Sequence, residues 1–416
     1  MATGLLALLF LGAVSQGTAR AAEVPRQRLA APLSRVESLS LPALDLAVLA
    51  DEDAAREAAG EPYRFAQTAP LAVRTPATAG SWETLADGSR LWRLRIASPG
   101  ARSLNFGFTR FHLPEGARLL IYAPDESVAI RPYTAADNRP HGELWTPVLP
   151  SPEAVLELSV PAEREGEVEL ELPFVQQGYR GFAHLVAPAA TGPFENVAGA
   201  SGACNVDVVC PEGDAWREEI PAVGVYTVNG TWTCTGAMVN NTSYDQTPYF
   251  LTANHCSVNS GNSSGVVIYW NFENSTCRPV GSGASGGSGD GSLSEFTTGS
   301  TWRASSSASD FTLIELNSAP DPAWEISFAG WDATGANATS AVAIHHPNTD
   351  EKRISFENDP TVTSSYLGTS SPGDGTHVRI VDWDLGTTEP GSSGSPLFNQ
   401  DHHIIGQLHG GGAACG

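Results

Sequence analysis

This sequence predicts an all-β protein built in two parts, and three observations carry that reading. Short apolar runs recur along the chain with almost no helical periodicity between them. In the first part apolar and charged side chains alternate strictly, the mark of a sheet with one buried and one wet face. All six cysteines fall between Cys204 and Cys415, so the two parts are also held together differently.

In chain order, residues 5–14 form an apolar run of signal-core length, too short to span a bilayer as a helix. Ala19-Arg20-Ala21 follows, a small-x-small cleavage pattern, so residues 1–21 are expected to be a secretory signal, although residues 1–4 carry no Lys or Arg. Residues 22–61 read as a linker with helical tendency at 51–59. Beyond it Trp92, Leu94 and Ile96 alternate with Arg93 and Arg95, and Val168, Leu170 and Leu172 with Glu167, Glu169 and Glu171. Further strand-like runs at 119–122 and 154–160 lie between Pro- and Gly-containing turns, so residues 62–182 are expected to form a β-sandwich-like domain. An Ala-, Gly- and Pro-rich stretch at 187–203 leads out of it, and residues 183–198 are read as a second linker.

The cysteine-bearing part, residues 199–416, carries apolar runs at 223–228, 249–252, 266–270, 311–316, 341–344, 378–381 and 404–408. Between them lie Gly, Ser and Asn clusters, of which 281–291 is expected to be a flexible surface loop. Many short strands of this kind make a sandwich or a barrel.

Composition narrows the function. The 416 residues suffice for two or three domains, and 41% hydrophobic with 17% charged residues is globular usage. A formal net charge of −23 repels phosphate backbones and anionic membranes, so neither nucleic acid nor membrane is an expected partner. An even cysteine count in an exported chain favours disulfides over a metal site. The histidine pairs His345-His346 and His402-His403 have no cysteine or carboxylate at ligand spacing, and are read as polar or packing residues. No metal and no cofactor are expected.

Three local motifs carry chemistry. Thr252-Ala253-Asn254-His255-Cys256 follows an apolar run, placing a histidine at a strand end. Ser309-Asp310 opens the run 311–316. Gly391-Ser392-Ser393-Gly394-Ser395-Pro396 is a glycine-rich turn that can expose a serine and aim successive N–H groups at one point. Serine attacks a peptide carbonyl only when an imidazole takes its proton, and the imidazole needs a carboxylate to fix its tautomer. The order His, Asp, Ser is that of the chymotrypsin class.

On these motifs the second part resembles the lysyl endopeptidases, a bacterial branch of the trypsin-like serine peptidases. GACNVDVVCPEG (202–213), CTGAMVNN (234–241), YFLTANHC (249–256), YWNFENSTCR (269–278), SDFTLIEL (309–316), AIHHPN (343–348), EPGSSGSPLF (389–398) and GQLHGG (406–411) occur in the family's order. The resemblance implies two antiparallel β-barrels behind a β-sandwich-like pro-domain, with the second barrel cut short at residue 416. It implies His255 as base, Asp310 as orienting carboxylate and Ser393 as nucleophile, with Gly391 and Ser393 supplying oxyanion N–H groups. Trp383 and His409 match substrate-pocket residues, whereas the family's pocket aspartate has no counterpart before residue 416. Six cysteines allow fifteen pairings, and the resemblance selects Cys204 with Cys415, Cys210 with Cys277 and Cys234 with Cys256. It also starts the mature enzyme at Gly199, after Ala198.

The function expected is that of a secreted, extracellular, monomeric serine endopeptidase. Its partners would be protein or peptide substrates, cut after basic residues and lysine above all, and its own pro-domain. Lys352 is the chain's single lysine. A lysine-cleaving protease gains from lacking its own target, and a GC-rich genome that replaces Lys with Arg has the same effect. Broader or arginine specificity is one alternative. The other is an adhesin or carbohydrate-binding protein that uses the first β-domain.

Overall fold

The computed structural model describes residues 31–71, 76–182 and 201–415. The expected signal segment, the whole of the second linker and Gly199 lie outside the described residues.

Two packed sheets make up most of the first part, with Arg110–His112 and Glu169–Glu171 forming a separate antiparallel pair. Strands Ser38–Ser40, Arg90–Ala97, Glu153–Val160, Arg118–Tyr122 and Ala129–Tyr133 lie in that order, with Ser81–Thr84 also against Arg90–Ala97. Leu144–Trp145, Ser103–Phe108, Phe174–Gly178 and Ala66–Pro70 form the second sheet. Ile96, Leu119, Ile121 and Leu156 from one sheet share a core with Leu104, Phe106 and Val175 from the other, the arrangement that period-two alternation requires.

Two expectations need correction here. Within the presumed linker, Ser38–Ser40 pairs in parallel with residues 95–97, and Leu46–Ala58 is a helix whose N-cap Asp45 accepts from the Val48 N–H. The helix buries Asp53, whose carboxylate bonds Arg64 at 2.7 Å and the Tyr179 hydroxyl at 2.7 Å. Nor is Arg93 wet: fully buried, it pairs with Glu83 and donates to Ala31 O. The chain before residue 38 lies over a face that alternation alone leaves open.

The second part has two sheets of its own. One runs Phe296–Thr298, Val266–Tyr269, Val223–Val228, Trp232–Val239, Tyr249–Ala253, Phe311–Leu316, Ser300–Ser306. Its first and last strands are consecutive in the chain, joined through Gly299 alone, so the sheet closes on itself as a barrel. Gly299 sits at φ +79°, where a Cβ would lie 2.5 Å from Asn317 Nδ2. The other sheet runs Val206–Asp207, Arg353–Glu357, Ala341–His345, Pro396–Asn399, Ile404–Gln407, with Val362–Ser364 and His377–Arg379 paired beside it. The loop 281–291 is pinned rather than free. Gly281 N–H donates to Ala203 O, buried Ser285 donates to Asn205 O, and Gly287 O accepts from Arg278, itself paired with Asp207 at 2.6 Å.

The two parts form one body. Tyr63–Arg64 pairs antiparallel with the barrel strand Trp232–Val239, and the Val148 N–H donates to the Tyr269 hydroxyl at 2.9 Å. Phe182 packs on Tyr269 and Phe272, so the sandwich core continues into the barrel.

Candidate active site

His255 lies two residues beyond strand Tyr249–Ala253, and Asp310 immediately precedes strand Phe311–Leu316. These strands are neighbours, with Ala253 opposite Phe311, so the two side chains emerge together. Asp310 takes a left-handed φ of +52° and is buried. Its Oδ1 accepts the His255 main-chain N–H at 2.8 Å, and its Oδ2 lies 2.8 Å from His255 Nδ1. The Asp310 carbonyl accepts from Asn254 N–H at 2.8 Å and from Gln407 Nε2 at 2.9 Å. A carboxylate spent this way orients the ring and leaves Nε2 as the free basic nitrogen.

Ser393 stands in the turn before strand Pro396–Asn399. Gly391 and Gly394 sit at φ +92° and +81°. A Cβ on Gly394 would press on Thr235 O and lie 2.8 Å from Ala253 N, so glycine lets the turn rest on the strand that ends at the His255 turn. Thr235 fastens it, its N–H donating to Ser393 O at 2.8 Å and its hydroxyl to Gly391 O at 2.9 Å. Among the described residues no hydrogen bond joins Ser393 Oγ to His255, a contact that commonly tightens only with substrate bound.

The three serines of the turn have different surroundings. Ser392 is fully buried with its Oγ 2.8 Å from His345 Nδ1, Ser395 is buried, and Ser393 alone is partly open. The N–H groups of Ser392, Gly394 and Ser395 donate to Glu389 O, Leu408 O and Ser392 O. Those of Gly391 and Ser393 donate to no protein acceptor among the described residues.

Beside this pair opens a cleft of about 740 Å³, lined among others by Trp383, His409, Tyr366, His377 and Thr388. The resemblance placed Trp383 and His409 there, and both line it. The ring stacked on His409 is Tyr366, with centroids 3.7 Å apart. His409 in turn stacks at 5.4 Å on His255, its Nε2 lies 3.8 Å from Asp310 Oδ2, and its Nδ1 lies 2.9 Å from His377 Nε2. Burial, aided by His255 and His377, holds His409 below the ordinary histidine range against the pull of Asp310. Tyr366 and His377 escaped the sequence reading because neither stands in a motif, and Gln407, although inside GQLHGG, carried no sign of its bond to Asp310 O; only the folded chain brings them to the site.

His345 and His346 are both fully buried, as packing histidines would be, and His402 stacks on Trp216. Cys204–Cys415, Cys210–Cys277 and Cys234–Cys256 are bonded, the last tying the His255 turn to strand Trp232–Val239.

Acyl transfer to serine is the chemistry that calls for an imidazole so held next to a glycine turn, and this chain is a serine endopeptidase of the trypsin-like class. Residues 198–416 match the family description "Lysyl endopeptidase, C-terminal domain", and residues 40–175 match "Lysyl endopeptidase N-terminal domain". The chain belongs to the lysyl endopeptidase family. It is 28% identical over 390 residues to a lysyl endopeptidase of Pseudomonas aeruginosa, covering 85% of this chain and 79% of that one. The N-terminal part, left open above as an adhesin, thus matches the same family. Among solved structures, the HtrA-type protease AlgW with tripeptide overlaps 48% of this chain and 54% of its own, at 14% identity and a TM-score of 0.30. The Rv3671c protease overlaps 50% and 89%, at 16% identity and a TM-score of 0.29.

Proposed function

We propose that this enzyme is secreted and cleaves peptide bonds after basic residues, lysine in particular. Ser393 acts as nucleophile, His255 as base and Asp310 as the group that orients it. His255 Nε2 takes the Ser393 proton as Oγ bonds to the carbonyl carbon. The Gly391 and Ser393 N–H groups receive the oxyanion, and the protonated imidazole then gives its proton to the departing amine. Water, activated by the same imidazole, releases the acyl group and restores Ser393. Trp383 and His409 shape the substrate cleft, and residues 22–198 are removed from the working enzyme by a cut after Ala198 that a strictly basic specificity cannot make. Three disulfides agree with export.

The observation that carries this reading is the double hold of Asp310 on His255, beside a turn in which the open N–H groups of Gly391 and Ser393 accompany the turn's one partly exposed serine, Ser393. The test is Ser393→Ala, compared with Ser395→Ala, on lysyl and arginyl esters. Ser393→Ala is expected to lose at least about 10³-fold in kcat with the fold retained, while Ser395→Ala keeps most activity. The reverse result overturns the nucleophile, and equal kcat/KM on the two esters overturns the lysine preference.

A further inference from the structure

The residue before the nucleophile is tied into the core by a chain of hydrogen bonds whose every proton is determined. Ser392 Oγ lies 2.8 Å from His345 Nδ1, and His345 Nε2 lies 3.0 Å from Ser355 Oγ. Ser355 Oγ lies 2.7 Å from Thr387 O, and Glu389 N–H donates to Ser392 Oγ at 3.3 Å. The Thr387 carbonyl can only accept, so the single Ser355 hydroxyl proton goes there. Ser355 Oγ must then accept from His345 Nε2–H. Burial, helped by Arg353, holds His345 down to about 3, so the ring is neutral and carries one N–H. Its Nδ1 is therefore an acceptor, and Ser392 Oγ–H donates to it.

We infer that His345 and Ser392 are positioning residues for catalysis: the imidazole at the end of strand Ala341–His345 grips the Ser392 hydroxyl and so fixes the direction of the Gly391 and Ser393 N–H groups. This rests on Ser393 being the nucleophile. Ser392 is the residue between the two open N–H groups, and its own N–H and carbonyl are spent inside the turn on Glu389 O and Ser395 N–H. Its side chain is thus the one group of Ser392 left to tie it to the core, beside the hold that Thr235 has on the carbonyls of Gly391 and Ser393. His346, the next residue, approaches Gly391 so closely that a Cβ there would lie 3.1 Å from His346 O, so the strand end meets the turn at two adjacent points.

The test exploits the two ring nitrogens. Asn in place of His345 puts its oxygen near Nδ1 and keeps an acceptor for Ser392, while losing Ser355. Gln puts its amide near Nε2 and keeps the donor to Ser355, while losing the acceptor for Ser392. The enzyme, with His345→Asn, His345→Gln, Ser392→Ala and Ser393→Ala, is assayed on a lysyl ester, with thermal unfolding measured alongside. The expected result is a fall of about 10²-fold in kcat with little change in KM for His345→Gln and Ser392→Ala, and a markedly smaller fall for His345→Asn at matched stability. Equal losses for Asn and Gln, or losses that follow the unfolding temperature alone, overturn the positioning role. Ser392→Ala removes one oxygen only, so near-normal kcat in that variant overturns it too, whatever the His345 variants do. If Ser393→Ala stays active, it is the nucleophile assignment that has failed.

Discussion

At the scale of single residues, Asp310 does two jobs with one carboxylate, since Oδ1 holds the His255 main chain and Oδ2 its ring. Asn tolerates the left-handed backbone at this position and can keep the first bond, but its amide would donate to Nδ1. The imidazole proton would then sit on Nε2, which could no longer accept from serine. Asp310→Asn is therefore expected to fold normally and lose about 10³- to 10⁴-fold in kcat at neutral pH, measured on a lysyl ester with circular dichroism as the control for folding.

The buried histidines give a second prediction at this scale. His345 is held down to about 3 and His346 is lowered as well, both chiefly by burial. The unfolded chain takes up protons below about pH 6.5 that the folded chain refuses, so stability is complete above that pH and falls as pH drops below it. One such histidine contributes a slope of about 1.4 kcal/mol per pH unit. The urea midpoint of the Ser393→Ala protein should fall between pH 6.5 and 5, and His345→Asn should flatten that fall. A midpoint independent of pH across this window would contradict it.

At the scale of elements, barrel closure turns on Gly299. The strands on either side of it are the two ends of the sheet and run in the same sense, so the chain must bend from one edge to the other at a single residue, with φ +79°. Gly299→Ala places a Cβ against Asn317 and an unfavoured backbone at the seam, for an expected loss of about 1–3 kcal/mol. Thermal unfolding in the Ser393→Ala background measures this. A glycine at an exposed open turn such as Gly281, where a Cβ meets nothing within 4 Å, should lose less.

For the molecule as a whole, the sandwich and barrel share a core through Phe182, Tyr269 and Phe272, yet every residue lining the cleft lies between Ser309 and Ala414. The described N-terminal part is thus joined to the barrel without lining the cleft. The chain's single lysine also has its place in the fold. Lys352 is fully buried, its Nζ 2.9 Å from Ile220 O and 3.5 Å from Glu273, and its N–H is bonded to Phe272 O. Folded Ser393→Ala protein given active enzyme should stay uncut at residue 352, and should be cut there once urea opens it. Fragments ending at Lys352 from the folded protein would contradict this; reduced gels with mass measurement distinguish the outcomes.

Much of this was legible in the sequence because it is local. Period-two alternation marks a strand whichever strand it pairs with, and TANHC, SDFTLIEL and GSSGSP each hold a residue type next to the backbone geometry its chemistry needs. The helix Leu46–Ala58 shows in the sequence only as helical tendency at 51–59 within a linker, and the strand Ser38–Ser40 not at all, because both are stabilised by distant partners, Arg64 and Tyr179 for the one and Arg90–Ala97 for the other. Arg93 read as exposed for the same reason, since the chain that covers it lies about sixty residues earlier. The sequence by itself determined most of the strands, the turn glycines and the motifs in which the candidate reactive groups stand, all set by short-range sterics and side-chain chemistry. Only the tertiary structure decided that Tyr366 and not Trp383 stacks on His409, and that His345 grips Ser392. Those contacts join residues far apart in the chain, and packing alone chooses among the many partners that composition would allow.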